Sequence, residues 1–518
     1  MTVPGAPVSG PHGSAETPLV QPLDEHNRRL LANLHPPDYR NPSPKDRYHL
    51  VVLGAGTGGL VTAAIGAALG AKVALIEKHL TGGDCLNVGC VPSKAILRAA
   101  RAWNEVRHAA VRFGAPAAAG QGDFAAVMER MRRLRADISR NDSVARFRDM
   151  GVDVFIGTGR FAGPDTIEVE GARLRFRRAV IATGGRPAIP PVPGLREIEP
   201  LTNETIFWLT TLPRRLLVIG AGPIGCELAQ AFARFGSQVT LVNRGPRILP
   251  REDSDAARFV EEAMARDGVR LHLGSKILSA GRQGSERTLV YEREGRRETA
   301  VAEQILVAAG REPTVRGFGL EAAGVAFDDA GVKVDARLRT TNPRVYAVGD
   351  VSSRHQFTHA ADAQARMVIQ NALFFGRGRA DSLVMPWCTY TSPEIAHVGM
   401  YEADARRAGI DVDTISVPLE DLDRAILDGS NEGFVRVHLR KGTDRILGAT
   451  LVAEHAGDMI GELALAATAG IGLGRIGATI HPYPTQGEIV RKAADQFARR
   501  RLTPLAKRVF ALFFRIFR

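Results

Sequence analysis

One local pattern is written twice in this chain, and that repetition limits the fold more than any other feature. From Tyr48 the run YHLVVLGAGTGGL reads as a buried parallel strand, a glycine turn and a small-residue helix through Leu69, and AKVALIEK follows as a second strand. The same grammar returns about 166 residues later in RRLLVIGAGPIGCELAQAFARFGSQVTLVNR. Each copy is a βαβ unit, which commits its strands to a parallel sheet covered by helices. Two such units predict two bound nucleotides.

Length and composition agree with a multidomain chain. At 518 residues and 45% hydrophobic content, three or four domains are expected. The formal charge of +12 comes from arginines spread over the whole chain, so it marks a compositional habit and no nucleic-acid partner is predicted. No run of about 18 uncharged apolar residues is present, so no spanning helix is expected. The polar start MTVPGAPVSGPHGS lacks the apolar region of a secretory signal, which makes the cytoplasm the expected compartment. Cysteines stand only at 85, 90, 226 and 388, too few for a stapled scaffold and without zinc spacing, so no resident metal is predicted.

In Gly54-x-Gly56-x-x-Gly59 the first glycine permits the tight turn, the second lets a pyrophosphate approach the backbone, and the third lets helix pack on strand. Glu77 closes the second strand where a carboxylate hydrogen-bonds an unmodified ribose. The second fingerprint is Gly220-x-Gly222-x-x-Gly225, and the place of its acid is taken by Asn243, followed by Arg244. Loss of the carboxylate removes repulsion toward a 2′-phosphate, and a guanidinium can bind that phosphate bidentately, so NADPH is favoured over NADH, with Arg247 near enough to assist. The plain alternative is that Arg244 is one more solvated arginine.

The segment TGGDCLNVGCVPSKAIL sets Cys85 and Cys90 five residues apart at the start of a predicted helix. A regular helix would separate their Cα atoms by roughly 8–9 Å, beyond the disulfide limit of about 7 Å. The first turn must therefore be distorted, as Gly89 and Pro92 allow. A thiolate near a helix N-terminus is stabilised, which depresses the pKa expected of Cys90 and leaves Cys85, further out, to exchange with substrate. Cys226 and Cys388 read as buried small residues.

The residues CLNVGCVPSK, following GAGTGG and Glu77, resemble the redox-active motif of the class I flavin disulfide reductases, which include dihydrolipoamide dehydrogenase, glutathione reductase and mercuric reductase. ATGGRP at 182–187, AAGREP at 308–313 and the pattern ending YAVGD at Asp350 extend the resemblance over about residues 47 to 500. It implies FAD and NAD(P)H as cofactors, with Lys78, Gly83, Thr183, Gly184 and Gly310 among the cofactor-facing positions, Asp350 on the flavin ribitol, and Lys94 paired with Glu227. It further implies an α/β fold of two Rossmann-like dinucleotide-binding domains plus a C-terminal α+β dimerisation domain that makes a homodimer. The expected boundaries are a mobile extension with one short helix at 1–46, the FAD domain at 47–190 and 312–383, the NAD(P) domain at 191–311, the dimerisation domain at 384–500 and a basic amphipathic tail at 501–518.

One motif departs from the family. The disulfide reductases carry a His-Pro-Thr-x-x-Glu motif whose histidine serves the other subunit's thiol as acid and base. In TIHPYPTQGE the register on Pro484, Thr485 and Glu488 puts Tyr483 at that place. A phenol of pKa near 10 is a poor base at pH 7. His481, two positions earlier, is the alternative, with Glu488 orienting whichever group acts. Mercuric reductases also carry a tyrosine here, so the chain resembles that branch, although it has no cysteine after Cys388 and no N-terminal CxxC module. The expected function is transfer of electrons from NAD(P)H through flavin and the Cys85–Cys90 pair to a small-molecule or metal-ion acceptor. Dihydrolipoamide dehydrogenase and a slow, membrane-peripheral flavin sensor are the alternatives. In the tail, LAKRVFALFFRIFR sets an apolar stripe against Lys507, Arg508, Arg515 and Arg518, which suits an anionic membrane surface or packing on a subunit.

Overall fold

The strand Tyr48–Leu53 shows no alternation: Leu50, Val51, Val52 and Leu53 are all buried. Burial on both faces is the mark of a central strand in a covered parallel sheet. It pairs in parallel with Val73–Glu77 on one side and with Ala172–Ile181 on the other. A computed structural model describes residues 19–117 and 122–517 of the chain. In it, the sheet runs Asp153–Ile156, Val73–Glu77, Tyr48–Leu53, Ala172–Ile181, Thr166–Val169, Arg160–Gly163. Val345–Ala347 joins it in parallel beside Ala172–Ile181.

By its internal contacts the chain divides into two compact units, and each is woven from three segments. The first takes the chain up to Pro92 with Glu129–Arg186 and Arg311–Asp381, and the second takes Ser93–Met128, Pro187–Gly310 and the chain from Ser382 on. The second holds a four-stranded parallel sheet in the order Arg270–His272, Gln238–Val242, Arg215–Ile219, Gln304–Val307. A three-stranded antiparallel sheet, Lys276–Gln283, Glu286–Arg293 and Arg296–Ala302, lies within the same stretch. The C-terminal part is a five-stranded antiparallel sheet, Pro386–Thr389, Glu394–Gly399, Ile446–Ala453, Phe434–Arg440 and Val412–Pro418. Helices Ala456–Ala469 and Glu488–Arg500 cover it, and Leu463, Ile489, Val490 and Ala493 join the buried core with Val435, Val437 and Leu451.

Residues 93–128, which the sequence places inside the flavin domain, belong to the second unit. Aromatic packing explains this: Trp103 meets the edge of Phe235 at 5.0 Å, and Phe124 lies 5.8 and 5.6 Å from Phe232 and Phe235. No helix among the described residues is long and apolar enough to cross a membrane.

From residue 19 onward the extension carries the expected short helix and is laid down as a strap; residues 1–18 lie outside the described residues. Asp24 caps helix Glu25–Leu34 by accepting the Asn27 N–H at 2.9 Å. Leu30, Leu31 and Leu34 then bury against Leu80, Leu86 and Ala136. Further on, Asn41 both donates to the Ile156 carbonyl and accepts from its N–H, each at 2.8 Å, so a side chain satisfies the edge of strand Asp153–Ile156 as a neighbouring strand would.

Candidate functional site

The first glycine turn is fixed by close approaches. Gly54 sits at φ +102°, and a Cβ there would stand 2.4 Å from the Ala182 carbonyl oxygen, while one at Gly59 would stand 1.9 Å from the Gly54 oxygen. Gly83 touches the same turn, because its Cβ would fall 2.5 Å from the Gly56 Cα. The redox loop is therefore built against the nucleotide turn, backbone on backbone. Glu77 accepts the Ala55 N–H at 2.7 Å and the His79 N–H at 2.8 Å, and burial raises its pKa against those bonds. Lys78 next to it is exposed.

Around the flavin-facing motifs, Thr183 donates to the Thr314 carbonyl at 2.8 Å, and Gly184 at φ +68° has open space where a side chain would begin. Asp350 is held by Arg311, whose Nε lies 3.3 Å away and whose second arm pairs with Asp84. Burial raises the Asp350 pKa, and the guanidinium opposes it. Arg311 thus ties Asp350 to Asp84 at the start of the cysteine loop. A clear glycine cradle with one carboxylate held by backbone N–H groups and another held by Arg311 fits a dinucleotide, whose pyrophosphate needs room and whose hydroxyls need acceptors.

The distortion expected between the cysteines is a complete break. Helix Gly83–Asn87 ends at Val88, whose φ of −142° leaves helical space, and a new helix, Cys90–Phe113, begins at the second cysteine. Gly89 makes the fold-back, since a Cβ there would lie 2.7 Å from the Asp84 carbonyl oxygen. Cys85 and Cys90 are free thiols. The Cys85 thiol is pushed well up, first by its hydrogen bond to Cys90 and then by burial. Cys90 is exposed and lies 3.4 Å from Thr358 Oγ1, the first residue of helix Thr358–Leu373.

Behind the loop, Asn87 donates to the Thr81 and Gly83 carbonyls at 3.0 and 2.9 Å. Its own carbonyl accepts Arg135 at 2.7 Å, and Arg135 also donates to Asn27 Oδ1 of the strap at 2.6 Å. Arg135 is only 2% exposed, and burial brings its pKa down to about 10. Thr358, Arg311, Arg135 and Asn27 were not anticipated from sequence, although Arg311 stands inside the AAGREP motif.

In the second unit the turn is built alike. Gly220 is at φ +105° with a Cβ position 2.5 Å from the Ala308 oxygen, Gly225 would place one 2.0 Å from the Gly220 oxygen, and Gly222 faces open space. Asn243 Oδ1 accepts the Ala221 N–H at 3.3 Å, the same relation over the same 22 residues as Glu77 has to Ala55. Its amide also donates to the Gly245 and Arg247 carbonyls. Arg244 is exposed and forms no ion pair among the described residues, whereas Arg247 is committed to the carbonyls of Glu252 and Pro250 at 3.0 and 2.7 Å and holds the loop. Gly310, at φ +129°, again leaves open space.

Lys94 and Glu227 form the expected pair at 2.8 Å. Glu227 is buried, accepts the Tyr390 N–H at 2.9 Å with its other oxygen, and Lys94 lies 4.3 Å from the Tyr390 ring centroid. Each carboxylate oxygen is therefore satisfied, which is what a buried charge requires. Cys226 is fully buried and Cys388 half-buried, and burial raises both thiols.

The tyrosine loop is arranged differently from expectation. Tyr483 is exposed and donates to Asp423 at 3.0 Å, which raises its pKa further. His481 faces acceptors on both sides: Glu462 at 3.1 Å from Nε2 and the Thr479 carbonyl 3.0 Å from Nδ1. Both ring nitrogens thus have partners within the chain. Glu488, expected to orient the acting group, bonds neither residue; it opens helix Glu488–Arg500, and Asp423 and Glu462 take the role instead.

Two nucleotide turns, a dithiol at a broken helix start and a Lys–Glu pair define a flavin-linked dithiol reductase. The chain belongs to the pyridine nucleotide-disulphide oxidoreductases: that family's profile matches residues 48–365, and the profile of its dimerisation domain matches 385–494. It is an FAD-dependent family with NAD(P)H as donor, and the C-terminal domain is the one through which its members form homodimers. The chain is 35% identical to a mercuric reductase of Streptomyces lividans over 457 residues, 87% of this chain and 96% of the relative. It is 36% identical to a dihydrolipoyl dehydrogenase of Thermus scotoductus over 462 residues, 86% and 97% of the two chains. Among solved structures, LpdA from Mycobacterium tuberculosis aligns at a TM-score of 0.79 and 28% identity, covering 87% of this chain and 99% of that one. The Cu(II) complex of the HOCl-induced flavoprotein disulfide reductase RclA from Escherichia coli aligns at 0.76 and 27%, covering 86% and 98%.

Proposed function

We propose that this oxidoreductase takes electrons from NADPH and delivers them, through FAD and the Cys85–Cys90 pair, to a thiophilic metal ion in the reducing interior of the cell. The observation that carries the metal acceptor is Tyr483 hydrogen-bonded to Asp423 where a disulfide reductase keeps an imidazole. With its pKa raised, the phenol stays protonated and takes no proton at neutral pH, so the exchange of a disulfide substrate lacks its base. A soft cation needs no such base, because two thiolates ligate it directly. Its two-electron reduction, for example of Hg(II), regenerates the Cys85–Cys90 disulfide's oxidation level. Mercuric reductases among the relatives and a copper complex among the similar structures support the same class of acceptor.

Bound FAD supplies the two-electron carrier between nicotinamide and dithiol. Around it Glu77 and Asp350 would hold hydroxyls, Lys94 would offset developing negative charge, and Glu227 would keep Lys94 charged and in place. Cys90 would face the flavin, and Cys85 would receive the acceptor. The second reading, a dihydrolipoyl dehydrogenase, is favoured by the relative of that name and disfavoured by the occupied nitrogens of His481.

Stopped-flow reduction by NADPH, followed by Hg(II), Cu(II), lipoamide, glutathione disulfide or a quinone, tests the proposal. The long-wavelength thiolate–flavin absorption should decay quickly with the metal ions and slowly with disulfides. Tyr483→His should raise lipoamide turnover by at least about tenfold. Fast lipoamide reduction by the unmodified enzyme would overturn the metal reading, and a band that persists with every acceptor would favour the sensor.

Donor choice rests on Arg244, exposed beside the Asn243 amide. Arg244→Glu should lower kcat/KM for NADPH by roughly 10–100-fold, the worth of a charge-assisted phosphate contact, and leave NADH within about twofold. Equal efficiency of the two nucleotides in the unmodified enzyme would refute the preference.

A further inference from the structure

Helix Pro504–Ile516 follows the last residue matched by the dimerisation profile, Arg500 having closed the preceding helix. Thr503 caps it by accepting the Ala506 N–H at 3.2 Å, with Pro504 at the first helical position, so the local sequence starts a new helix deliberately. None of its residues is buried. Leu505, Val509, Leu512 and Ile516 recur at helical spacing as one ridge, and Phe510, Phe513, Phe514 and Phe517 widen it. Leu505, Ile516, Phe514 and Phe517 are 71%, 67%, 66% and 71% exposed, values no folded monomer maintains over so large an apolar face without a use. The rings group together, Phe513 lying 4.4 Å from Phe517 and 5.8 Å from Phe514.

What covers this face is indicated by charge. From Arg499 to Arg518 the chain carries seven basic residues, Arg499, Arg500, Arg501, Lys507, Arg508, Arg515 and Arg518, and no acidic one. Within the helix Lys507, Arg508 and Arg515 share the narrow sector that the apolar arc leaves, opposite Phe513 and bordering Leu512. A protein surface covering an aromatic ridge would meet this cationic edge with its own acids, and an aligned second copy would bring like charges together. An anionic bilayer satisfies both sides at once: acyl chains take the rings, and phosphates take the flanking cations. The helix has 13 residues, too few to span, so it lies in the interface.

We propose that residues 499–517 dock this oxidoreductase reversibly on an anionic lipid surface, with the phenylalanines in the acyl boundary and the basic edge at the phosphates.

The test is flotation of the FAD-loaded full chain with vesicles of equal parts phosphatidylglycerol and phosphatidylcholine, and with phosphatidylcholine alone. The chain should float with the anionic vesicles and stay behind with the neutral ones. Lys507→Glu/Arg508→Glu/Arg515→Glu should weaken that binding by about a hundredfold or more, since each basic residue contributes close to a factor of five at such a surface. Phe510→Ser/Phe513→Ser should weaken it at least about tenfold with NADPH-dependent dye reduction unchanged. Equal binding to both vesicle types, or no loss on charge reversal, overturns the proposal. A fall from dimer to monomer in either variant by sedimentation velocity also overturns it, because the ridge would then be a subunit contact.

Discussion

Cys90→Ser should erase the long-wavelength thiolate–flavin absorption, whereas Cys85→Ser should keep or strengthen it, and both should lose turnover by at least about a thousandfold. The asymmetry follows from where the proton sits. The hydrogen bond to Cys90, and then burial, raise the Cys85 thiol, so Cys85 is the member of the pair that holds its proton more firmly than a free thiol does. Cys90 is also the first residue of a 24-residue helix, whose unpaired N–H groups favour a thiolate, and Thr358 Oγ1 is 3.4 Å from its sulfur. Serine at 90 offers no thiolate and therefore no band. Serine at 85 removes only the outer partner. Absorbance spectra of the two-electron-reduced variants decide it, and like behaviour of both would reverse the assigned roles.

Asn27→Ala should destabilise the FAD-loaded protein by about 2–3 kcal/mol, more than Arg135→Met does, as read from urea unfolding midpoints. Arg135 is buried and depends on two acceptors, the Asn87 carbonyl and Asn27 Oδ1. Removing Asn27 leaves a buried guanidinium short of a partner, which costs more than removing the guanidinium itself. Because Arg135 holds Asn87, two residues from Cys85, the variant should also reoxidise at a changed rate. An unfolding midpoint equal to that of the unmodified protein would show that the strap does not support the redox loop.

Much of this architecture was legible because it depends on close backbone approach. At Gly54, Gly59, Gly220 and Gly225 any side chain collides with a carbonyl oxygen, so the glycine spacing announces the turn itself. The Cys85–Cys90 interval likewise implied a broken helix through chain geometry alone. Partners chosen across the fold were not legible. Asp423 for Tyr483, Glu462 for His481 and Asp84 for Arg311 are 60, 19 and 227 residues away, and no local period encodes such pairs. The helix of the strap was legible in EHNRRLLANL, but the leucines' destination on Leu80 and Leu86 exists only after folding. Residues 93–128 changed allegiance because three aromatic rings outweigh the order of the chain.

The sheet order carries a consequence for biosynthesis. Ala172–Ile181 is made early, yet its parallel neighbour Val345–Ala347 emerges only after the entire four-stranded nucleotide sheet, Arg215–Ile219 to Gln304–Val307, has left the ribosome. That second sheet is contiguous in the chain and can close on its own as it appears, while the first waits with the Ile181 edge unpaired. The nascent molecule therefore completes the four-stranded sheet first, and the sheet around Ala172–Ile181 is sealed only when Val345–Ala347 has been delivered.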